Sequence, residues 1–372
     1  MKYQELRSLV QNWPKHEGCV KIDRSPLIND GFPGTFNLSF TEDPWLREYG
    51  RLVDFDHDYT FSTVQSCIRP QDVPLTGTKG SWKYLGIFEI ADIMGMVSLA
   101  KKPDYQVAHT AQIKSLIDFL SKAGINPKTV YPSYNLGGKI AEITQGKYLF
   151  DFNVPEDKIS KEGFMAAGVP ENNLREDRTR NTFLSLHFGQ PSPWGYRNEV
   201  NVNVGTEDRP VLLDVATLGY LLWVPSYKGE DASYSRNIVG LRYLKNSSVI
   251  NAVGLERLCL VVNGLRRVQD VDYIVPFYDC MRSQLGEEDL LAGESLRALH
   301  RVHSDIASYG CQPGRHQKAK IRALAKNIPP TFDAAKIKEL LGIHTQTQPW
   351  HPNLQAGIEP TIERIERYRK NK

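Results

Sequence analysis

Two different spacings of apolar residues divide the chain into segments that predict strands and segments that predict helices. Three valines alternate with polar residues in 198–204, and a side-chain period of two is typical of a half-buried strand. Apolar residues recur every three or four positions in 106–123, and Gly124 and Pro127 then end the predicted helix. The chain from Glu294 onward has only the helical spacing.

A strand, a long loop and a returning antiparallel strand are predicted near the start of the chain. The segments 64–68 and 84–90 are apolar, and the stretch between them, 70–81, is rich in Gly, Pro and Thr. Further along, 211–224 predicts a strand or a strand that enters a helix, and 255–265 predicts a buried helix. Together these segments predict an α+β fold that contains antiparallel strands.

The same patterns divide the chain into two parts. A mixed domain is predicted over residues 1–280, and a helical C-terminal region over residues 281–372. A short amphipathic helix at 3–13 opens the first part. Residues 140–190 carry runs of charge such as 175–178, and we interpret them as an insertion made of loops.

The composition is that of an ordinary soluble globular protein. Its 372 residues carry a formal net charge of only +3. Five cysteines at irregular spacing, without a C-x-x-C pair, indicate a reduced, cytoplasmic protein. The N-terminus has no signal-peptide pattern, and the longest apolar stretch, 211–225, is short and contains Asp214. We therefore expect no membrane span.

The C-terminal region has an excess of positive charge. Residues 281–372 hold 15 Lys and Arg residues against 10 Asp and Glu. An RNA backbone could meet this excess, although a solvated helical surface is the simpler interpretation. His300, His303, Cys311 and His316 lie in the same region, but their spacing fits no standard zinc pattern, so no metal site is predicted from them.

Two arginines that are far apart in sequence are the strongest candidates for chemistry. Arg69 and Arg257 each follow or sit within an apolar run. The planar guanidinium donates two parallel hydrogen bonds and keeps its charge, which suits it to phosphate. The pair predicts a nucleotide held from both ends. The structural alternative is that they pair with Glu89 and Glu256.

The segments around these arginines resemble motifs of the class II aminoacyl-tRNA synthetases. Residues 66–72, followed by Phe88 and Glu89, are similar to motif 2, and Gly254–Arg257 is similar to motif 3. Within the class, the match is to the alanyl branch, and to its archaeal type in particular. Two further segments carry that likeness, Asp214–Leu218 and Pro193–Gly195. The resemblance covers roughly residues 20 to 330.

The resemblance implies an antiparallel sheet flanked by helices, a bound ATP with Mg²⁺, and attack of a carboxylate on the α-phosphorus. It places Arg69 on the α-phosphate and the attacking carboxylate, and Arg257 on the γ-phosphate. It places Glu89 on the adenine amino group or on a magnesium-linked contact. The other residues that it assigns to ATP binding are Asp72, Lys83, Phe88, Gly254 and Glu256.

The chain departs from the family where the substrate amine would bind. The family has Asp-Thr-Gly before Gly-Leu-Glu-Arg, whereas residues 250–253 are Ile-Asn-Ala-Val here. A buried ammonium without a carboxylate is costly. Either Asp214, Glu199 or Asn251 takes over, or the substrate presents no amine there. The residues predicted to contact the acyl substrate are Trp194, Glu199, Asn201, Asp214 and Asn251.

Three functions remain open at this stage. The first is adenylation of an amino acid or related carboxylic acid with transfer to a tRNA acceptor stem. The second keeps the adenylation but passes the acyl group to a small molecule or carrier protein, as a biosynthetic ligase would. The third is a non-catalytic paralogue that binds RNA. No counterpart of the family's editing domain follows Lys326, which favours a free-standing core, and a homodimer stays open.

Overall fold

The computed structural model describes residues 1–13, 19–28, 35–36, 59–98, 105–185, 193–206, 208–228 and 237–370, without the side chains of residues 59, 96–98, 185, 245 and 246. The strands in these residues are β1 (Cys19–Lys21), β2 (Tyr59–Cys67), β3 (Phe88–Ser98), β4 (Val130–Asn135), β5 (Gly138–Lys139), β6 (Asn153–Val154), β7 (Arg175–Asp177), β8 (Phe183–Ser185), β9 (Trp194–Asn203), β10 (Leu212–Tyr227) and β11 (Ile238–Gly254). The helices are α1 (Tyr3–Gln11), α2 (Tyr105–Lys122), α3 (Ile140–Ile143), α4 (Lys158–Ala166), α5 (Leu255–Asn263), α6 (Val275–Leu285), α7 (Leu290–Tyr309), α8 (Arg315–Lys326), α9 (Ala334–Gln346) and α10 (Ile358–Lys370).

One mixed sheet forms the centre of the molecule. Its strand order is β1-β2-β3-β11-β10-β9-β4-β7, and β8 also pairs with β9. Five neighbouring pairs are antiparallel: β2 with β3, β3 with β11, β11 with β10, β10 with β9, and β9 with β4. The two outer pairs, β1 with β2 and β4 with β7, are parallel. The predicted antiparallel sheet with flanking helices is therefore confirmed, with parallel pairing added at its two edges.

The two faces of the sheet have different surroundings. Helix α2 packs against β11 and β10 on one face, where its Ile113 and Leu116 join the main core with Val253. The opposite face carries a smaller apolar cluster, and its members include Ile90 and Ala252. Because side chains alternate along a strand, each strand contributes to both faces.

The C-terminal helices are joined to the loop before β3 by a buried ion pair. Both side chains of Arg297 and Glu294 are almost fully buried, and Nη1 of Arg297 donates to Glu294 at 2.8 and 2.9 Å. The same carboxylate accepts hydrogen bonds from the Gly86 backbone N–H and the Tyr278 hydroxyl, each at 2.7 Å. These contacts hold α7 against the loop that leads into β3.

Several predicted elements are confirmed and others are wrong. Helices α1 and α2 match their predicted spans to within two residues, and all but the first residue of 211–224 lies within the strand β10. Residues 140–190 were interpreted as loops, but they contain α3, α4 and three short strands. Strands of two or three residues are too short to show the alternation of apolar and polar side chains that predicts a strand. The 17-residue β11 was missed because its polar residues break the alternation. In the described part of the chain, every helix is too short or too polar to cross a membrane.

Gly195 marks a close approach between β9 and β10. A Cβ at this position would collide with the backbone carbonyl oxygen of Tyr220 and lie 2.6 Å from Cα of Leu221. We expect Gly195→Ala to lower the free energy of unfolding by about 2–3 kcal/mol, because backbone atoms must shift to admit the methyl group. Urea denaturation measures this change. Gly240→Ala is the matched control, since its Cβ meets no atom within 4 Å. Equal stability of the two variants would contradict the prediction.

Candidate active site

A cavity of about 650 Å³, including its part open to solvent, lies where the end of β2, the start of β3, the start of β10 and the end of β11 meet. These four strands are neighbours in the sheet, so residues distant in sequence converge there. The cavity is lined by Arg69, Asp72, Lys83, Leu85, Phe88, Ile90, Asp214, Val215, Ala216, Thr217, Ala252, Gly254, Glu256 and Arg257.

The cations of this cavity include both arginines that the sequence singled out. Arg69 follows β2, and its guanidinium carbon lies 5.3 Å from the centre of the Phe88 ring. Arg257 lies in the first turn of α5, where its Nε donates to the Lys83 carbonyl at 3.3 Å. The wall therefore combines a flat aromatic ring with at least three positive groups, an arrangement that suits a nucleotide and its phosphates.

Asp214 faces the same cavity from β10. Its Oδ2 lies 3.3 Å from Nη1 of Arg257. Its Oδ1 is buried and has no hydrogen-bond partner among the described residues. Burial raises the pKa of Asp214, and the charges of Arg257 and then Arg69 oppose that rise. A buried carboxylate oxygen without a donor is costly.

Glu256 also borders the cavity, but protein donors already satisfy its carboxylate. The hydroxyls of Tyr273 and Tyr3 donate to it at 2.7 and 3.1 Å. The backbone N–H of Glu89 donates to its Oε2 at 3.0 Å. This contact ties the start of β3 to the start of α5, which are the two elements that carry Phe88 and Arg257.

Glu89 lies outside the cavity lining, and the role predicted for it stays a prediction. Phe88 and Ile90 face the cavity, so the side chain between them points to the opposite face of β3. There the Glu89 carboxylate accepts from Nε of Arg7 at 3.1 Å and lies 2.8 Å from Nε2 of His351. Burial alone would raise the pKa of Glu89, but His351 and Arg7 lower it well below its usual range. Glu89 is thus a structural partner of the first helix and of the turn before α10.

Glu256 should make stability depend on pH. Burial and then the charge of Glu89 raise its pKa to about 7. The folded state therefore holds a proton that the unfolded state releases near pH 4.5, and stability falls as pH rises through this window. The natural protein should lose about 3 kcal/mol in free energy of unfolding between pH 5 and pH 8 that Glu256→Gln does not lose, because the amide does not titrate. Urea denaturation at both pH values checks this, and Glu363→Gln, at an exposed position, is the control. If the difference in free energy of unfolding between Glu256→Gln and the natural protein were the same at both pH values, the prediction would be contradicted.

Two residues predicted to contact the substrate lie away from the cavity. Asn251 is buried on the face covered by α2, and its Nδ2 lies 3.5 Å from the Gln112 carbonyl oxygen. Trp194 packs in an aromatic cluster, with its ring centre 4.9 Å from that of Tyr148 and 5.9 Å from that of Phe183. The sequence pattern identifies the segment of each residue but not the face of the sheet to which the side chain points, and the role of both residues stays a prediction.

Glu199 and Asn201 occupy an intermediate position. Both are half-buried on β9, and Asn201 pairs in register with Asp214 of the neighbouring strand. Oε1 of Glu199 accepts from Nη2 of Arg197 at 3.0 Å. Burial raises the pKa of Glu199; the Arg197 charge lowers it and the Asp214 charge raises it further. These two residues lie next to the cavity without lining it.

No model of a known protein family matches the chain. The chain is similar to an alanine–tRNA ligase. The similarity to this enzyme of Rubrobacter xylanophilus extends over 279 residues at 26% identity, which cover 69% of this chain and 28% of that protein. It confirms the resemblance to the alanyl branch of the synthetases, whereas the archaeal type stays a prediction. The chain spans less than a third of that ligase.

The comparison with solved structures found two tRNA synthetases among others. One is the histidyl-tRNA synthetase of S. aureus, with a TM-score of 0.43 and 11% identity over 77% of each chain. The other is the pyrrolysyl-tRNA synthetase of Desulfitobacterium hafniense, with a TM-score of 0.34 and 14% identity over 73% of this chain and 72% of that one.

The apolar lining of the cavity was not predicted, although the motif-like segments contain its signal. Ile90 lies two residues after Phe88, and Ala252 lies two residues before Gly254. Residues two apart on a strand share a face. Each residue predicted to bind ATP therefore identifies a neighbour, two positions away, that lines the same cavity. The predicted absence of a zinc site stands as a prediction. In the described part of the chain, no three metal-ligating side chains come together, and His300 instead contacts His344.

Proposed function

We propose that the chain activates an amino acid or a related carboxylic acid with ATP and passes the acyl group to an acceptor. The observation that carries this proposal is the convergence of Arg69, Phe88 and Arg257 on one cavity. These residues come from segments almost 190 positions apart, and they combine phosphate-binding cations with an aromatic surface for a base. The sequence similarity to an alanine–tRNA ligase supports the same chemistry.

The proposed reaction depends on position and charge. A carboxylate oxygen of the acid attacks the α-phosphorus, the bond from that phosphorus to the bridging oxygen breaks, and pyrophosphate leaves with the electron pair. No proton has to move in this step. Arg69 would neutralise the α-phosphate and the incoming carboxylate, while Arg257 and Lys83 would hold the leaving phosphates. Fixed cations of this kind stabilise charge as it shifts between oxygens.

Mg²⁺ would accompany the phosphates of ATP, and the lining offers an oxygen ligand for it. Mg²⁺ is usually held by one or two carboxylates together with phosphate oxygens. The Asp72 carboxylate lines the cavity on the loop that follows Arg69, and no side chain of the described residues donates to it. Asp72 would therefore hold the ion, which would supply further neutralisation of phosphate charge.

The acceptor is proposed to be a tRNA acceptor stem, with a small molecule or carrier protein as the second candidate. The similarity to an alanine–tRNA ligase favours tRNA. The arginines of α8 and α10 support it: burial lowers the pKa of Arg364, and the positive charges of Arg367 and Arg322 lower it further. The altered residues 250–253 favour the second candidate. A cytoplasmic location is part of the proposal as well.

ATP–pyrophosphate exchange tests the proposal directly. The purified chain is assayed against a panel of amino acids and their carboxylic acid relatives, with ATP binding measured separately. Exchange with one acid would establish adenylation, and transfer to tRNA or to a small amine would then identify the acceptor. Binding of neither ATP nor any acid would overturn the proposal and favour the non-catalytic paralogue.

A further inference from the structure

We propose that Glu256 and Glu89 share one proton through the Tyr3 hydroxyl. This bridge ties together the strand and the helix that carry Phe88 and Arg257, and so sets the separation of two residues that the proposed function assigns to ATP. The inference rests on that function for its consequence, although the bridge itself can be tested without a nucleotide. It adds three positioning residues that act on ATP through their neighbours.

The Tyr3 hydroxyl lies between the two carboxylates. Its oxygen is 2.9 Å from Oε2 of Glu89 and 3.1 Å from Oε1 of Glu256. A hydroxyl carries a single hydrogen, whereas an ionised carboxylate can only accept. If both carboxylates were ionised, one of these two oxygen–oxygen contacts would therefore contain no hydrogen. A proton on Glu256 removes the conflict, because Glu256 then donates to Tyr3 and Tyr3 donates to Glu89.

The contacts of the two carboxylates place the proton on Glu256. Glu89 accepts from Nε of Arg7 at 3.1 Å, and its other oxygen lies 2.8 Å from Nε2 of His351. Glu256 is instead buried against two tyrosine hydroxyls and a backbone N–H, which are uncharged. Burial and the charge of Glu89 favour the protonated form of Glu256, in agreement with its pKa of about 7.

Several other titratable and charged groups surround the bridge. They are Arg7 of α1, Arg24 after β1, Cys259 of α5, Asp272 and Tyr273 before α6, Arg297 and Arg301 of α7, and His351 before α10. Burial and then the Arg301 charge lower the pKa of His351 to about 3, and burial lowers that of Arg301 to about 9. Burial raises the pKa of Cys259 to about 12 and those of Tyr3 and Tyr273 well above the usual tyrosine range. Glu256 is therefore the group expected to release the bridging proton between pH 6 and pH 8.

The bridge spans the two elements that carry the proposed nucleotide ligands. Phe88 immediately precedes Glu89 at the start of β3, and Arg257 immediately follows Glu256 at the start of α5. The Glu89 N–H also donates to Oε2 of Glu256 at 3.0 Å, so the first turn of the helix and the first residues of the strand meet on one carboxylate. When Glu256 ionises, two negative charges face each other across Tyr3 and repel. Affinity for ATP should therefore fall as pH rises, because the aromatic ring and the arginine lose their fixed separation.

The test compares Tyr3→Phe with the natural chain at pH 6 and pH 8. The Tyr3 ring lies 4.5 Å from the Tyr273 ring and 5.4 Å from the Trp350 ring, so phenylalanine keeps these contacts and removes the hydroxyl alone. We expect Tyr3→Phe to weaken ATP binding about tenfold at pH 6 and about twofold at pH 8, where most natural chains have already lost the proton. Isothermal titration calorimetry with excess Mg²⁺ measures both values. Tyr243→Phe, the same change at an exposed position, should bind ATP as the natural chain does.

A second variant, Glu256→Gln, fixes the bridge in its donating form. The Glu89 N–H donates to Oε2, so the amide nitrogen takes the place of Oε1 and donates to Tyr3 at every pH. In this background Tyr3→Phe should weaken ATP binding about tenfold at both pH values. If the loss caused by Tyr3→Phe in the natural chain were the same at pH 6 and pH 8, Tyr3 would have a structural role alone and the inference would be overturned.

Infrared spectroscopy detects the shared proton without a nucleotide and without a Tyr3 variant. A protonated carboxylic acid has a carbonyl stretching band that an ionised carboxylate lacks. The natural chain should show this band at pH 6 and lose it by pH 8, and Glu256→Gln should lack it at pH 6. A natural chain without such a band would overturn the inference, whatever its affinity for ATP. If the band is present but the chain binds no ATP at either pH, the proposed function and the positioning role both fall, while the shared proton is upheld.

Discussion

Arg257→Ala should lower kcat/KM for ATP–pyrophosphate exchange by about a thousandfold, the size of effect that removal of a transition-state arginine has in phosphoryl transfer. Arg257 lies in the first turn of α5, and its guanidinium is held beside Asp214 and the Lys83 carbonyl. Its loss would remove a fixed charge from the leaving phosphates and free Asp214 from its partner. The loss should appear in exchange assays at saturating acid and varied ATP.

Arg266→Ala is the matched control for this experiment, because Arg266 is exposed and lies outside the cavity lining. It should retain the exchange rate of the natural chain. The thermal midpoint of Arg257→Ala should stay close to that of the natural chain, since the side chain is partly exposed. If Arg257→Ala retained more than about a tenth of the natural kcat/KM, the arginine would be a structural partner of Asp214 rather than a phosphate ligand.

Glu294→Ala should lower the free energy of unfolding by about 3–5 kcal/mol, the usual cost of removing one member of a buried ion pair. Arg297 would keep its charge in a fully buried position without a carboxylate. The Gly86 N–H and the Tyr278 hydroxyl would lose the same acceptor. Urea or guanidinium denaturation followed by circular dichroism measures the difference.

Glu287→Ala is the comparison for that variant, since Glu287 is exposed in the turn between α6 and α7. Its free energy of unfolding should stay within about 0.5 kcal/mol of the natural value. A double variant, Glu294→Leu with Arg297→Met, should recover much of the stability that Glu294→Ala loses, because it leaves no charge buried alone. Failure of this recovery would indicate that the hydrogen bonds to Gly86 and Tyr278, rather than the isolated charge, determine the loss.

Much of the cavity could be predicted because its residues lie in short, recognisable segments. The predicted ATP ligands Arg69, Phe88 and Arg257 do line one cavity, and Asp72, Lys83, Gly254 and Glu256 line it with them. Their roles toward ATP stay predictions. The antiparallel pairing of β2 with β3 followed from two apolar runs and the turn-forming loop between them. The local sequence pattern was sufficient for prediction wherever one short segment identified both the strand or helix and the residue that lines the cavity.

The sequence did not predict which residues line the cavity where the face of a strand mattered. Glu89 and Asn251 belong to the right strands but point away from the cavity, and the sequence of one strand does not reveal which face the partners will cover. Trp194 belongs to an aromatic cluster in which Tyr148 and Phe183 come from the segment interpreted as loops, while Tyr196, Tyr220 and Trp223 come from β9 and β10. The contact between Glu89 and His351 joins residues with no sequence signal in common, and such pairing depends on the complete tertiary structure.

The contacts of Glu89 also have a consequence for the order of folding. Arg7 from the first helix and His351 from the turn before α10 meet on one carboxylate, although more than three hundred residues separate them in sequence. Contacts between such distant residues close large loops and form slowly. Phe88, beside that carboxylate, should therefore reach its final position late. Nucleotide binding should accordingly be among the last properties that a refolding chain recovers, after most of its secondary structure has formed.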